Sequence, residues 1–259
     1  MTGLRPRLAA LAAAAVLTLT IVGVASANES GAPSRQPALA HRCAALGQAV
    51  RHEATVGTLR EFGICQIERR QVTLDRLLAR VAGSKVMTAD HASTLTAELT
   101  AAKSGLAGLK VALDSDTTVE QLKVDIGKIS TDYRVYRLIA PKMRLINATD
   151  GGNAAVVRLG TLETKLQARI NAASSAGKDV SGAQADLDLM QQQVTAAHTA
   201  LASIDEGQLL ALTPANWNDG TAQPILAAIR TSLKTTHADL RAARTAAQDC
   251  VIALKALGA

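Results

Sequence analysis

An all-α fold, an elongated antiparallel bundle of about six coiled-coil-like helices, is what this sequence predicts, and three observations predict it. Apolar residues recur at spacings of three and four from residue 38 onward. Aromatics are only 2% of the 259 residues, so the 48% hydrophobic content rests on Ala, Leu, Ile and Val. Ala is the strongest helix former and unbranched aliphatic chains pack between helices, whereas sheets draw on the aromatic and β-branched residues that are sparse here. Finally, turn and capping residues, such as Gly83-Ser84-Lys85 with Thr88 and Gly177 to Asp179, separate successive periodic runs.

Residues 1–27 read as a secretion signal. Arg5 and Arg7 give a positive start, Leu8 to Val24 an apolar run, and Ala25-Ser26-Ala27 a small-residue cleavage site. The alternative is an uncleaved signal kept as an N-terminal anchor. Residues 28–37, with Gly31, Pro33 and Pro37, read as a disordered leader, and residues 38–259 as the helical domain. A short first helix is expected over 38–55, with Leu39, Cys43, Leu46 and Val50 on one face.

The next two seams are Ile64, Ile67, Gln71, Leu74, Leu78, Val81 and then Ala92, Leu95, Leu99, Ala102, Leu106, Leu109, Leu113. Gly83-Ser84-Lys85 stops the first and Thr88 caps the second, which makes an antiparallel hairpin. A further seam runs Val119, Leu122, Ile126, Ile129, Tyr133, Tyr136, Ala140. Thr117 and Glu120 are expected to form its capping box, and Pro141 to end or kink it. Residues 142–176 carry Leu159, Leu162, Leu166 and Ile170 inward, with Asp150-Gly151-Gly152-Asn153 as a weak point where the helix could break. Ala183 to Ile204 keeps the rhythm, Gly207 to Thr221 is expected to be irregular, and Leu226 to Leu257 forms a last helix of about 48 Å.

Composition excludes several functions. The formal charge of +6 includes Arg5 and Arg7; without them 26 basic residues face 22 acidic ones, a net +4 of well-mixed sign. With neither a basic stripe nor interleaved aromatics, nucleic acid is not an expected partner. After Val24 no run approaches the roughly 20 apolar residues of a membrane span. None of the eight Glu has a His three positions later, as a di-iron bundle requires, and Cys-x-x-Cys-His and Gly-x-Ser-x-Gly are absent. His41, His52, His91, His198 and His237 read as isolated surface residues. Asp114 to Asp125 lacks the Gly and the final Glu of a calcium loop and reads as a helix end followed by a cap. The expectation is therefore no catalytic residue, no metal and no cofactor.

Export permits disulfides. Cys43 and Cys250 both fall on inward seams and are the first candidate pair, a staple worth up to about 5 kcal/mol in the chain-entropy model; Cys65 is an alternative partner for either. Two places stand out as candidate ligand or interaction sites: Asp132-Tyr133-Arg134-Val135-Tyr136, which holds both tyrosines, and Trp217, the single tryptophan. Asp132 and Arg134 are expected to pair with Arg69, Arg70 or Glu68.

Asp132-Tyr133-Arg134-Val135-Tyr136 with Pro141, Cys65 to Arg70, Met87 to His91, Gly105 to Leu109 and Leu212-Thr213-Pro214 give residues 60 to 255 a resemblance. The chain resembles a family of uncharacterised secreted all-helical proteins of high-GC Gram-positive bacteria. That resemblance implies fold and export, and no activity. It also implies a cysteine partner just before the Asp-Tyr-Arg stretch, where Val124 and Asp125 stand here. The expected function is that of a secreted, non-enzymatic interaction protein of the cell envelope, in contact with wall polymer, another envelope protein or a second copy. The alternative is a carrier of a small apolar ligand held near Tyr133, Tyr136 and Trp217.

Overall fold

The computed structural model describes residues 35–258, and all their regular structure is helical. The signal segment, 1–27, and the leader as far as residue 34 lie outside the described residues. The leader's last residues are the start of α1, Arg35–His52, so it is not irregular throughout. Pro37 is compatible with this because the first turn of a helix needs no amide donor there.

Helices α1 and α2, Val56–Gly83, form a hairpin joined by Glu53 to Thr55. Thr55 caps α2, exchanging bonds with Thr58 three residues on. α3, Ala89–Ser115, starts at the Thr88 cap and buries Leu95, Leu99, Leu106, Leu109 and Leu113, as its seam predicts. α4, Val119–Thr131, has its capping box at Thr118 and Gln121 rather than at Thr117 and Glu120. The amide carbonyl of Gln121 accepts from the backbone of both Thr117 and Thr118 and from the Thr118 hydroxyl, leaving Glu120 no part in the cap.

The seam expected to run through Tyr136 to Ala140 is broken. α4 stops at Thr131, Arg134 takes a left-handed conformation (φ 45°), and Val135–Ile139 forms one π-helical turn. α5, Ala140–Ser175, then begins with Pro141 in its first turn, where proline is tolerated. The extra turn changes the phase. Val135, Leu138 and Ile139 are buried, and Tyr136 is turned outward.

α5 passes through Asp150-Gly151-Gly152-Asn153 without a break. A Cβ on Gly152 would lie 2.9 Å from Leu201, so this glycine admits a close helix crossing instead of ending a helix. α6, Ser181–Ala202, runs back along α5. Residues 207–221, expected to be irregular, contain two short helices, α7, Glu206–Ala211, and α8, Pro214–Asn218. The Asp205 carboxylate caps the first, and Asn216 with Thr213 the second. α9, Ala222–Ala256, completes the bundle. Lys178, in the α5–α6 turn, donates to the Leu257 carbonyl, so α9 ends where α6 begins and the two are antiparallel.

The core has two parts. One, the head, joins α2, α3, α4, the π turn and the first turns of α5 to the end of α6, to α7 and to the start of α9. The other, the stem, is a three-helix coil in which Leu159, Leu166 and Ile170 of α5 meet Leu187, Met190 and Val194 of α6 and Leu240, Ala243 and Leu254 of α9.

The cysteine pairing differs from the first candidate. Cys43 and Cys65 form the disulfide, Cα atoms 5.6 Å apart, and Cys250 is a free thiol buried in the stem. The reason is the α1–α2 hairpin: both residues lie nine positions from the ends that the turn joins, so they face each other. A bridge needs Cα atoms within about 7 Å, a condition met by antiparallel neighbours. Burial, with a smaller contribution from Asp186, pushes the Cys250 thiol up.

Candidate functional site: an arginine face around Tyr136

The break after α4 positions the most unusual surface of the molecule. The carbonyl of Arg134 accepts from the amides of Arg137, Leu138 and Ile139, three donors on one oxygen, as a chain must do when it passes from a tight turn to a π turn. A left-handed non-glycine residue costs roughly 1 kcal/mol and persists only where its surroundings fix it. Here Asn218 of α8 does so. It accepts from Arg134 Nε at 2.8 Å and donates to the Thr131 carbonyl at 3.1 Å, closing the end of α4.

The π turn presents Tyr136 to α2. Arg69 and Arg70 both place their guanidinium carbons against its ring, at 5.4 and 5.2 Å from the centroid. Arg70 also donates to the carbonyl and side chain of Gln66. Its pKa is lowered chiefly by burial; the ionised form of Tyr136 would oppose this, and the neighbouring charge of Arg69 adds a smaller lowering. Arg70, Ser130, Arg134, Tyr136 and Arg137 line a shallow depression of about 100 Å³. Among the described residues no carboxylate lies within 4.0 Å of Arg69, Arg70, Arg134 or Arg137.

The expected pairs of Asp132 and Arg134 with residues 68–70 do not form. Glu68 is held by Lys110 at 3.2 Å and Arg42 at 3.7 Å, Asp132 accepts from Thr131, and Arg134 binds Asn218. The three aromatic candidates do not gather round one cavity. Tyr133 lies partly buried against α3, with its hydroxyl 2.6 Å from where a Cβ on Gly105 would be, and burial raises its pKa ahead of Asp132. Trp217 packs on the head core from α8, and Tyr136 alone reaches the depression. At about 100 Å³ that depression is well below the 300–1,000 Å³ of ordinary small-molecule pockets, and matches a compact charged group better than an apolar ligand.

A second polar cluster lies inside the head, on positions that the apolar seams leave out. Lys142, 1% exposed, donates to the Leu210 and Leu212 carbonyls at the end of α7 and pairs with Glu98 at 2.7 Å. Asp150, 4% exposed, accepts from the Thr88 amide and faces Nδ1 of His91 at 3.0 Å. Nε2 of the same ring lies 3.5 Å from Glu206. His91 is thus no isolated surface residue. The usable signal was the spacing Lys142, Ile146, Asp150, which puts two charges on the inward face of one helix.

The chain matches none of the protein-family models, none of the curated proteins and none of the solved structures with which it was compared.

Proposed function

We propose that this chain is an exported, non-enzymatic helical bundle that works by surface contact, docking the anionic groups of a cell-envelope polymer on the arginine face around Tyr136. The observation that carries this reading is two guanidiniums against the Tyr136 ring, with Arg134 and Arg137 lining the depression beside it and, among the described residues, no carboxylate in ion-pairing reach of the four. Guanidinium pairs with phosphate and carboxylate through two parallel hydrogen bonds, and Arg is weakly hydrated, so an uncompensated cluster favours a polyanion that supplies the missing charge. The left-handed Arg134 and the π turn place Arg134 and Arg137 at the edge of the depression. The signal-like residues 1–27 support export, as does the family resemblance.

The test is co-sedimentation with isolated cell-wall polymer, and titration with long-chain polyphosphate, at increasing salt. Binding should weaken steeply with salt, and the variant carrying Arg69→Ala, Arg70→Ala, Arg134→Ala and Arg137→Ala should lose about tenfold or more in affinity while keeping its helicity. A wild-type chain that ignores both polymers, or a variant that binds them equally, would sink the reading.

A further inference from the structure

We propose that His91 and Glu206 hold one zinc ion at the junction of α3, α5 and α7, with Asp150 fixing the imidazole from behind. This site is separate from the arginine face and does not rest on it.

Ligating atoms of His91, Asp150 and Glu206 all lie within 4.8 Å of one another. They come from three different helices, so the chain brings them together only on folding. Their arrangement is directional. Asp150 lies 3.0 Å from Nδ1 with both carboxylate oxygens, and a carboxylate can only accept, so the neutral ring carries its proton on Nδ1 and turns the lone pair of Nε2 away from Asp150. The Thr88 amide holds Asp150 in turn. A carboxylate behind a histidine whose other nitrogen faces outward is the usual support of a metal-bound imidazole.

On the outward side Nε2 and the Glu206 carboxylate are 3.5 Å apart. That is long for an N–H to O hydrogen bond. It is close to the edge of about 3.4 Å between two ligands that each lie about 2.0–2.1 Å from a tetrahedral zinc ion. The spacing of the two atoms is therefore the one that a shared zinc ion requires. Charge favours it too: Asp150 and Glu206 carry two negative charges, and among the described residues neither makes an ion pair with Lys or Arg. Lys142, the buried amine of this region, is engaged by Glu98 and two carbonyls. A divalent ion balances the pair with His91 neutral. The side chain of Glu206 is 30% exposed and that of His91 13%, so the ion enters from solvent and water completes its shell. An imidazole nitrogen selects zinc over calcium or magnesium, which prefer oxygen. Bound there, the ion ties the first turn of α7 to α3, as Lys142 ties its last.

The experiment is calorimetric titration of the full chain, free of any polyhistidine tag and stripped with a chelator, with zinc chloride, followed by thermal melts. One equivalent should bind saturably and raise the melting temperature, while magnesium chloride leaves it unchanged. Glu206→Gln and His91→Gln should each weaken binding by about tenfold or more, and Asp150→Asn by about 10- to 100-fold. Glu206 is partly exposed, so Glu206→Gln decides the matter if the other variants misfold. No uptake at a large excess of zinc, or undiminished one-to-one binding in Glu206→Gln, would overturn the proposal.

Discussion

The stem and the head are built from the same few aliphatic residues, yet they differ in almost everything that bears on function. In the stem α5, α6 and α9 keep one unbroken rhythm, and the buried positions are Leu, Ile, Val, Met, Ala and Cys250. Polar contacts between its helices stay on the outside, as in Gln167 with Gln184 and Glu163 with Gln191. Thr236, at the junction, satisfies its hydroxyl on its own helix. The head buries Lys142, Thr149, Asp150 and Asp125, contains the one left-handed non-glycine residue among those described, and sets short helices across long ones. A pure seam specifies a rod and leaves no atom aimed at anything else. Departures from the seam are where side chains become available for recognition.

The widest test of that contrast removes the head's buried amine. Lys142→Met keeps volume but leaves Glu98 without its partner and the Leu210 and Leu212 carbonyls without a donor. Breaking a buried pair from one side costs about 3–5 kcal/mol, and because the Glu98 side chain is 26% exposed the lower end is expected. Urea unfolding should show a loss of about 3 kcal/mol with the α7 region most affected. A loss under about 1 kcal/mol would mean that the head is held, like the stem, by apolar packing alone.

Next in size is the disulfide. Cys43 and Cys65 are 22 residues apart, for which the chain-entropy model gives about 3 kcal/mol. Reduction should act on α1, whose attachment to α2 relies otherwise on half-buried residues such as Val50, and should leave the stem helices protected in hydrogen exchange. Cys250, fully buried and with its thiol pushed up, should resist alkylation in the folded chain and react once the stem unfolds. Labelling of Cys250 at the rate of a free thiol would show that the stem opens as readily as the head.

How far the sequence was legible follows the same division. Nearly every stem position expected to face inward is buried, with Leu162 and Leu257 half-buried, because a period of three and four has one solution when the partners are also regular. In the head the periodic reading carried Tyr136 onto a buried face, since spacing alone cannot see that Arg134 resets the phase. Gly151-Gly152 reads equally as a break or as a close crossing, and only the position of Leu201 decides between them. The His91, Asp150 and Glu206 cluster joins residues 59 and 56 positions apart on three helices, which no local pattern encodes.

That glycine pair supplies a smaller, signed test. Gly152→Ala sets a methyl group 2.9 Å from Leu201 and should destabilise by about 1–3 kcal/mol. Gly160→Ala, on the same helix but with nothing within 4 Å, should stabilise by about 1 kcal/mol through helix propensity. Opposite signs in chemical denaturation would show that one helix is glycine-rich for two unrelated reasons. Equal signs would break that distinction.

The smallest expected effect compares two exposed carboxylates, one at the tip of each region. Asp179 precedes α6 in the stem and accepts from the Ser181 amide; Asp219 precedes α9 in the head and accepts from the Thr221 amide and hydroxyl. Hydrogen bonds to the charged form favour it, so both are held below the ordinary aspartate value of 3.8. A carboxyl whose folded value is depressed contributes stability that is present above the unfolded value and is lost as pH falls through the folded one. The contribution of both should therefore be complete near neutrality and fade below about pH 4. Asp179→Asn and Asp219→Asn should each lower stability slightly above about pH 5 and leave it nearly unchanged well below about pH 4, so that the acid limb of a stability-against-pH curve flattens. Because the two turns close different ends of the bundle, hydrogen exchange at low pH should place the first loosening at the α5–α6 turn in one variant and at the α8–α9 turn in the other. Loosening that starts at the same place in both would show that head and stem unfold as one cooperative body, however differently they are built.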